Sequence, residues 1–326
     1  MGITEFSSDQ TPSTSGAGRL QQRWHRWVLD RCVLRPSRHP LDPVEQWRCR
    51  LTWDDPLSSP LECFVHLDPR QDHATFGETA RIDQRSRSIT QFGDISRPDV
   101  LMLKFPGTAG RAERSTRSPA DLLQVWSDSR HTGQVANQPT PATEVWTWNP
   151  PGYGGSPGRA RLSNYVAAAE RFARLVSESR ADSHSQIWLV GNSLGCLPAL
   201  ALARRASWSG DRQVRLWLRN PPDLANVIRR VARRWYAHRW MTRVTRTLPS
   251  ELCSIRTAEA CQAPAVFLMS ELDTLVPPEV QRTVHDAYGG AARIVSLAGI
   301  DHDGVLDDQH LHDVVSAAGW LYQQTN

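Results

Sequence analysis

The sequence predicts an α/β fold: a mostly parallel, eight-stranded sheet with helices on both faces and a helical cap inserted after the sixth strand. Three observations carry this. From residue 100 onward short apolar runs alternate with helical stretches, the pattern of a parallel sheet covered on both sides. One of those runs passes through a tight glycine turn, Gly191-Asn192-Ser193-Leu194-Gly195, straight into a helix. A single stretch, residues 222–263, breaks the alternation with helical character between two strands.

Residues 1–18 are Ser/Thr/Gly-rich and without period, so they read as a disordered tail. Residues 19–326 read as one domain, and 326 residues are ample for a single large core. Residues 47–53 and 61–67 are expected to open the sheet as an antiparallel pair. Strands follow at 100–105, 144–148, 187–190, 214–218, 265–269 and 292–297. A helix is expected over 161–177, because Tyr165, Ala168, Ala169, Phe172 and Leu175 recur at helical spacing. Further helices are expected over 194–206 and over 309–322.

Composition excludes several classes. No run approaches the ~18 apolar residues of a spanning helix. The first 18 residues lack the basic start and apolar stretch of a secretory signal, which sets a cytoplasmic location as the expectation. Six cysteines with no C-x-x-C pair read as reduced thiols, mostly buried. There is no P-loop, no H-E-x-x-H and no His/Cys ligand spacing, so neither a cofactor nor a metal is expected. Net charge is only +4, which argues against a nucleic-acid partner.

The chemistry centres on Ser193. Glycines at 191 and 195 remove side chains from a strained strand-to-helix turn and leave the serine hydroxyl projecting at the carboxyl edge of the sheet. The plain alternative is a Gly-Ser turn that only caps a helix. A serine needs a base to take its proton and a carboxylate to orient that base. Asp273 follows the strand 265–269 and is the expected acid, with Glu271 as the alternative. His302 follows the strand 292–297 and is the expected base, whereas His310 and His312 read as helix-surface residues.

Oxyanion donors are expected from the Leu194 amide and from the loop Pro106-Gly107-Thr108-Ala109-Gly110. In that loop Thr108 is the first choice and Gly107 the alternative. Tyr153, in the turn Pro150–Gly155, either lines the pocket or packs against the sheet. Trp235 and Trp240 are candidate substrate contacts in the cap.

These residues resemble the α/β-hydrolase superfamily: a nucleophile elbow, an acid after the next-but-one strand, and a histidine before the last helix. Leu216-Trp217-Leu218-Arg219-Asn220-Pro221-Pro222, Glu271 to Pro277 and Gly152-Tyr153-Gly154-Gly155-Ser156 are similar to its serine-aminopeptidase-like, α/β-hydrolase-domain-containing branch. The resemblance spans roughly residues 46–323. Many relatives carry His-Gly where this chain has Pro106-Gly107, a change that retains backbone donors. The resemblance implies a serine hydrolase acting on a small-molecule ester or related acyl bond. The alternatives are a non-catalytic binding module and an acyltransferase on the same scaffold.

Residues 226–248 hold seven arginines around an approximate apolar stripe. They read as an amphipathic helix facing water, or as a face that meets an anionic group or a membrane surface. Oligomeric state is not encoded in any of these patterns.

Overall fold

The computed structural model describes residues 16–43, 45–52, 59–68, 81–83, 88–91, 96–131, 139–205, 208–210, 212–233 and 238–324. Most of the expected tail, residues 1–15, therefore lies outside the described residues, as does Trp235. The first element among the described residues is a helix, α1 (Gly16–Val33), which begins within that expected tail.

All eight expected strands form: β1 (Trp47–Leu51), β2 (Leu61–His66), β5 (Val100–Phe105), β6 (Thr143–Trp148), β7 (Gln186–Asn192), β8 (Val214–Arg219), β9 (Ala265–Ser270) and β10 (Ala292–Leu297). Two short strands, β3 (Arg81–Asp83) and β4 (Ser88–Gln91), extend the sheet beyond β1. The order is β10-β9-β8-β7-β5-β6-β2-β1-β4-β3. From β6 through β10 every pairing is parallel, and β2 joins β1 and β6 antiparallel.

The central parallel strands β5–β9 are buried over most of their length because both of their faces are covered, whereas the edge strand β10 stays partly exposed. One face packs against α1, α3 (Tyr165–Arg180) and α4 (Cys196–Arg204), around Phe105, Trp148 and Phe172. Trp148 and Phe172 stack at 5.7 Å, and Phe105 meets both rings edge-on. The other face packs against α2 (Ala120–His131) and α9 (Asp308–Gln323), with Trp188 stacked on Trp217.

Between β8 and β9 lie α5 (Leu224–Arg233), α6 (His238–Thr245) and α7 (Ser254–Glu259); α8 (Pro278–Asp286) separates β9 from β10. A further expectation fails: His310 is not a surface residue. It is buried, and its two ring nitrogens engage Asp307 Oδ1 at 2.6 Å and the Ala298 carbonyl at 3.0 Å. The start of α9 docks on the chain leaving β10, so a position that looks exposed on an isolated helix is covered.

The chain runs from β5 to β6 in one direction and from β7 to β8 in the other. The carboxyl ends of β5 and β7 therefore flank the point where strand order reverses, the usual place for a ligand site in such sheets.

Candidate active site

Ser193 sits at that point, immediately after β7 and before α4. Its φ of 51° is a conformation an L-residue holds only when its surroundings enforce it. The two glycines make the turn sterically feasible. A Cβ on Gly191 would lie 2.6 Å from Cys196 Cα, and one on Gly195 would lie 1.8 Å from the Phe105 carbonyl oxygen. The serine is therefore held against the end of β5.

The loop after β5 closes with a hydrogen bond from Gly110 N–H to the Gly107 carbonyl. Gly107 lies against the nucleophile, where an added Cβ would stand 3.4 Å from Ser193 Cβ. Thr108 is fixed through its carbonyl, which accepts the Tyr153 hydroxyl at 2.8 Å. Tyr153 is buried and its hydroxyl also accepts the Arg35 amide, while burial pushes the phenol up to about 12. The tyrosine thus braces the loop rather than presenting its hydroxyl to a ligand.

The turn that carries Tyr153 is anchored from beneath. The Asn149 amide donates to Glu62 at 2.8 Å and to Glu113 at 3.0 Å, and its oxygen accepts the Ala112 amide. Glu62 also accepts the Gly155 amide at 2.6 Å, and Arg111 pairs with Glu113. Buried acids are tolerated here because each has its partners.

His302 Nδ1 lies 2.6 Å from Asp273 Oδ2. A carboxylate accepts, so the proton is on Nδ1 and Nε2 is left as the basic nitrogen. The Asp273 side chain is fully buried, whereas that of His302 retains 16% exposure. The other Asp273 oxygen accepts the amides of Leu275 at 2.9 Å and Val276 at 2.7 Å, and Gln281 donates to Oδ2 at 3.4 Å. The alternative acid, Glu271, points away: it is exposed and accepts the Ser296 hydroxyl. The structure closes the Asp273–His302 link, while no hydrogen bond joins Ser193 to the imidazole.

Two residues without a role in the sequence reading hold this pair. Asn220, at φ 52° and fully buried, donates to the His302 carbonyl at 3.2 Å and accepts the Ser270 amide at 3.1 Å. Arg219 donates to the Gly304 carbonyl, two residues past His302. Burial lowers its guanidinium pKa, against the opposing charges of Asp303, Asp273 and Asp301. Their sequence signal is Arg219-Asn220 at the end of a strand, which spacing alone does not tie to a loop 82 positions later.

Trp240 is half-buried and lies 5.2 Å from Trp24 of α1, so it joins α6 to the N-terminal helix. Among the described residues no cluster of His, Cys, Asp or Glu has metal-binding geometry, and no helix is long and apolar enough to cross a membrane.

No protein-family model matches the chain, and no curated protein matches it by sequence. Solved structures do. An esterase of Pyrococcus furiosus, Pf2001, superposes with a TM-score of 0.54 at 12% identity, covering 89% of this chain and 96% of that one. An alpha-beta hydrolase from Vibrio vulnificus gives 0.53 at 15% identity over 95% and 98%. Est1E from Butyrivibrio proteoclasticus gives 0.50 at 14% identity over 83% and 96%. At these identities the likeness is one of architecture, and it agrees with the strand order and elbow described above. The chain is built on the α/β-hydrolase fold.

Proposed function

We propose that the chain is a serine hydrolase that cleaves a carboxylic ester or related acyl bond through an acyl-enzyme on Ser193. One observation carries the reading. A serine held in a left-handed elbow against Gly107 shares its sheet edge with a histidine whose Nδ1 is taken up by a buried aspartate.

In this mechanism His302 Nε2 takes the Ser193 proton as the hydroxyl oxygen attacks the carbonyl carbon. Asp273 keeps the tautomer and stabilises the imidazolium, and the carboxylate itself is steadied by the Leu275 and Val276 amides. The oxyanion is held by the amides of Leu194 and of Thr108 or Gly107. His302 then protonates the leaving group and activates the water that releases the acyl group. Hydrogen bonds to a catalytic base are often long before substrate binds, and the Ser193–His302 bond forms at that step. Exposed Leu272 and Leu275 flank Asp273, and exposed Val305 follows His302, so the loops around the dyad offer apolar surface to an acyl chain. A cytoplasmic location and the serine-aminopeptidase-like branch belong to the same reading.

The test is hydrolysis of a series of p-nitrophenyl esters by the protein and by Ser193→Ala and His302→Ala. Activity should fall by roughly 10⁴-fold or more in each variant. Either variant hydrolysing as fast as the parent would contradict the assignment.

A further inference from the structure

The surface formed by α1 and α6 is both apolar and strongly basic. On α1, Leu20, Trp24 and Trp27 are 67%, 49% and 57% exposed, and their spacing puts all three on one stripe. The opposite face of the helix buries Val28, Leu29 and Val33 in the core. Its orientation is therefore fixed, and the apolar stripe cannot be turned inward. Trp24 packs on Trp240 of α6, which makes the two helices one surface.

Arginines surround the stripe. Arg19, Arg23, Arg26 and Arg31 are exposed on α1, and Arg31 lies 5.8 Å above the Trp27 ring. Arg233, Arg239, Arg243 and Arg246 are exposed on or next to α5 and α6. Asp30 is the one acid in α1; it accepts the Leu162 amide and faces the charges of Arg26 and Arg161, so it offsets Arg26 and leaves Arg19, Arg23 and Arg31 of the helix without an acid of their own among the described residues. Residues 224–250 contain no acid at all. Farther along α5, Arg230 is already paired with Glu279 and is not needed.

Exposed tryptophans ringed by arginines, most of which have no acid partner among the described residues, match a particular partner chemistry. Indoles sit at the level of lipid headgroups, and guanidinium groups pair with phosphates. We infer that α1 and α6 together form a docking face for an anionic phospholipid surface. The inference is independent of the hydrolase reading, because no residue of the proposed triad belongs to this face.

The experiment is co-flotation of the full-length Ser193→Ala protein with vesicles of phosphatidylcholine, with and without phosphatidylglycerol. Using that background keeps the result separate from any hydrolysis. Binding should require phosphatidylglycerol and weaken as salt rises. In the Arg23→Gln/Arg31→Gln variant affinity should drop about fivefold for each arginine removed. Leu20→Ser/Trp27→Ser should also release the protein, with an unchanged thermal melt showing that the fold is intact. Equal binding to phosphatidylcholine alone, absence of binding by the folded protein, or variants that bind like the parent would overturn the inference. So would a dimer that the Leu20/Trp27 variant dissolves, since the face would then belong to a second copy.

Discussion

Asn220 shows what a single residue contributes to this site. Its fully buried side chain bridges the strand that precedes Asp273 and the loop that carries His302. Asn220→Ala should lower kcat for ester hydrolysis roughly 10- to 100-fold with KM little changed, because the imidazole is displaced rather than removed. It should also destabilise the fold by about 1–3 kcal/mol, since the Ser270 amide and His302 carbonyl lose their partner. A matched loss in kcat and KM, or a variant with full kcat, would show that Asn220 does not position the histidine. The triad candidates themselves are legible in the sequence because each follows a recognisable strand. Asn220 is not, because its partners are a backbone amide and a backbone carbonyl that no side-chain pattern marks.

At the level of elements, α2 and α9 show how tightly one layer is fitted. Gly319 of α9 faces Trp126 of α2, and a Cβ there would stand 2.0 Å from the indole nitrogen. Gly319→Ala should therefore destabilise the protein by about 1–3 kcal/mol in urea unfolding, despite alanine's better helix propensity. A stabilised variant would mean that the indole shifts freely. The eight main strands and the helices over 165–180, 196–204 and 308–323 could be read from apolar runs and the 3.6-residue period, whereas α2 and α8 are not among the expectations. The helix α1 is less plain, because Leu20, Trp24 and Trp27 add apolar residues on the solvent side to Val28, Leu29 and Val33 on the core side. His310 misled for the opposite reason, since a polar residue is buried there by bonds to Asp307 and Ala298.

Across the whole molecule, stability should depend on pH through a partly buried cationic corner around the buried His66. His66 and the half-buried Lys104, the chain's single lysine, lie near Arg117. The Lys104 ammonium is held by the Thr116 and Ser118 carbonyls, and burial brings its pKa down to about 7. Burial, with Lys104 and Arg117 nearby, drives His66 from 6.5 to about 3. Below pH 6.5 the unfolded chain takes a proton that the folded one refuses until about pH 3, so this residue's contribution is lost as pH falls through that window. The urea midpoint should drop between neutral and mildly acidic buffer, and His66→Gln should flatten the decline. An equally steep decline in the variant would place the effect elsewhere.

The claim on which the functional account turns is that Ser193 is an activated nucleophile, and covalent labelling reads this directly. Incubation of the folded protein with a fluorophosphonate probe, followed by peptide mass spectrometry, should give one adduct per chain on Ser193 and none in His302→Ala. Folded protein that stays unlabelled, or that takes the probe at another serine, would contradict it.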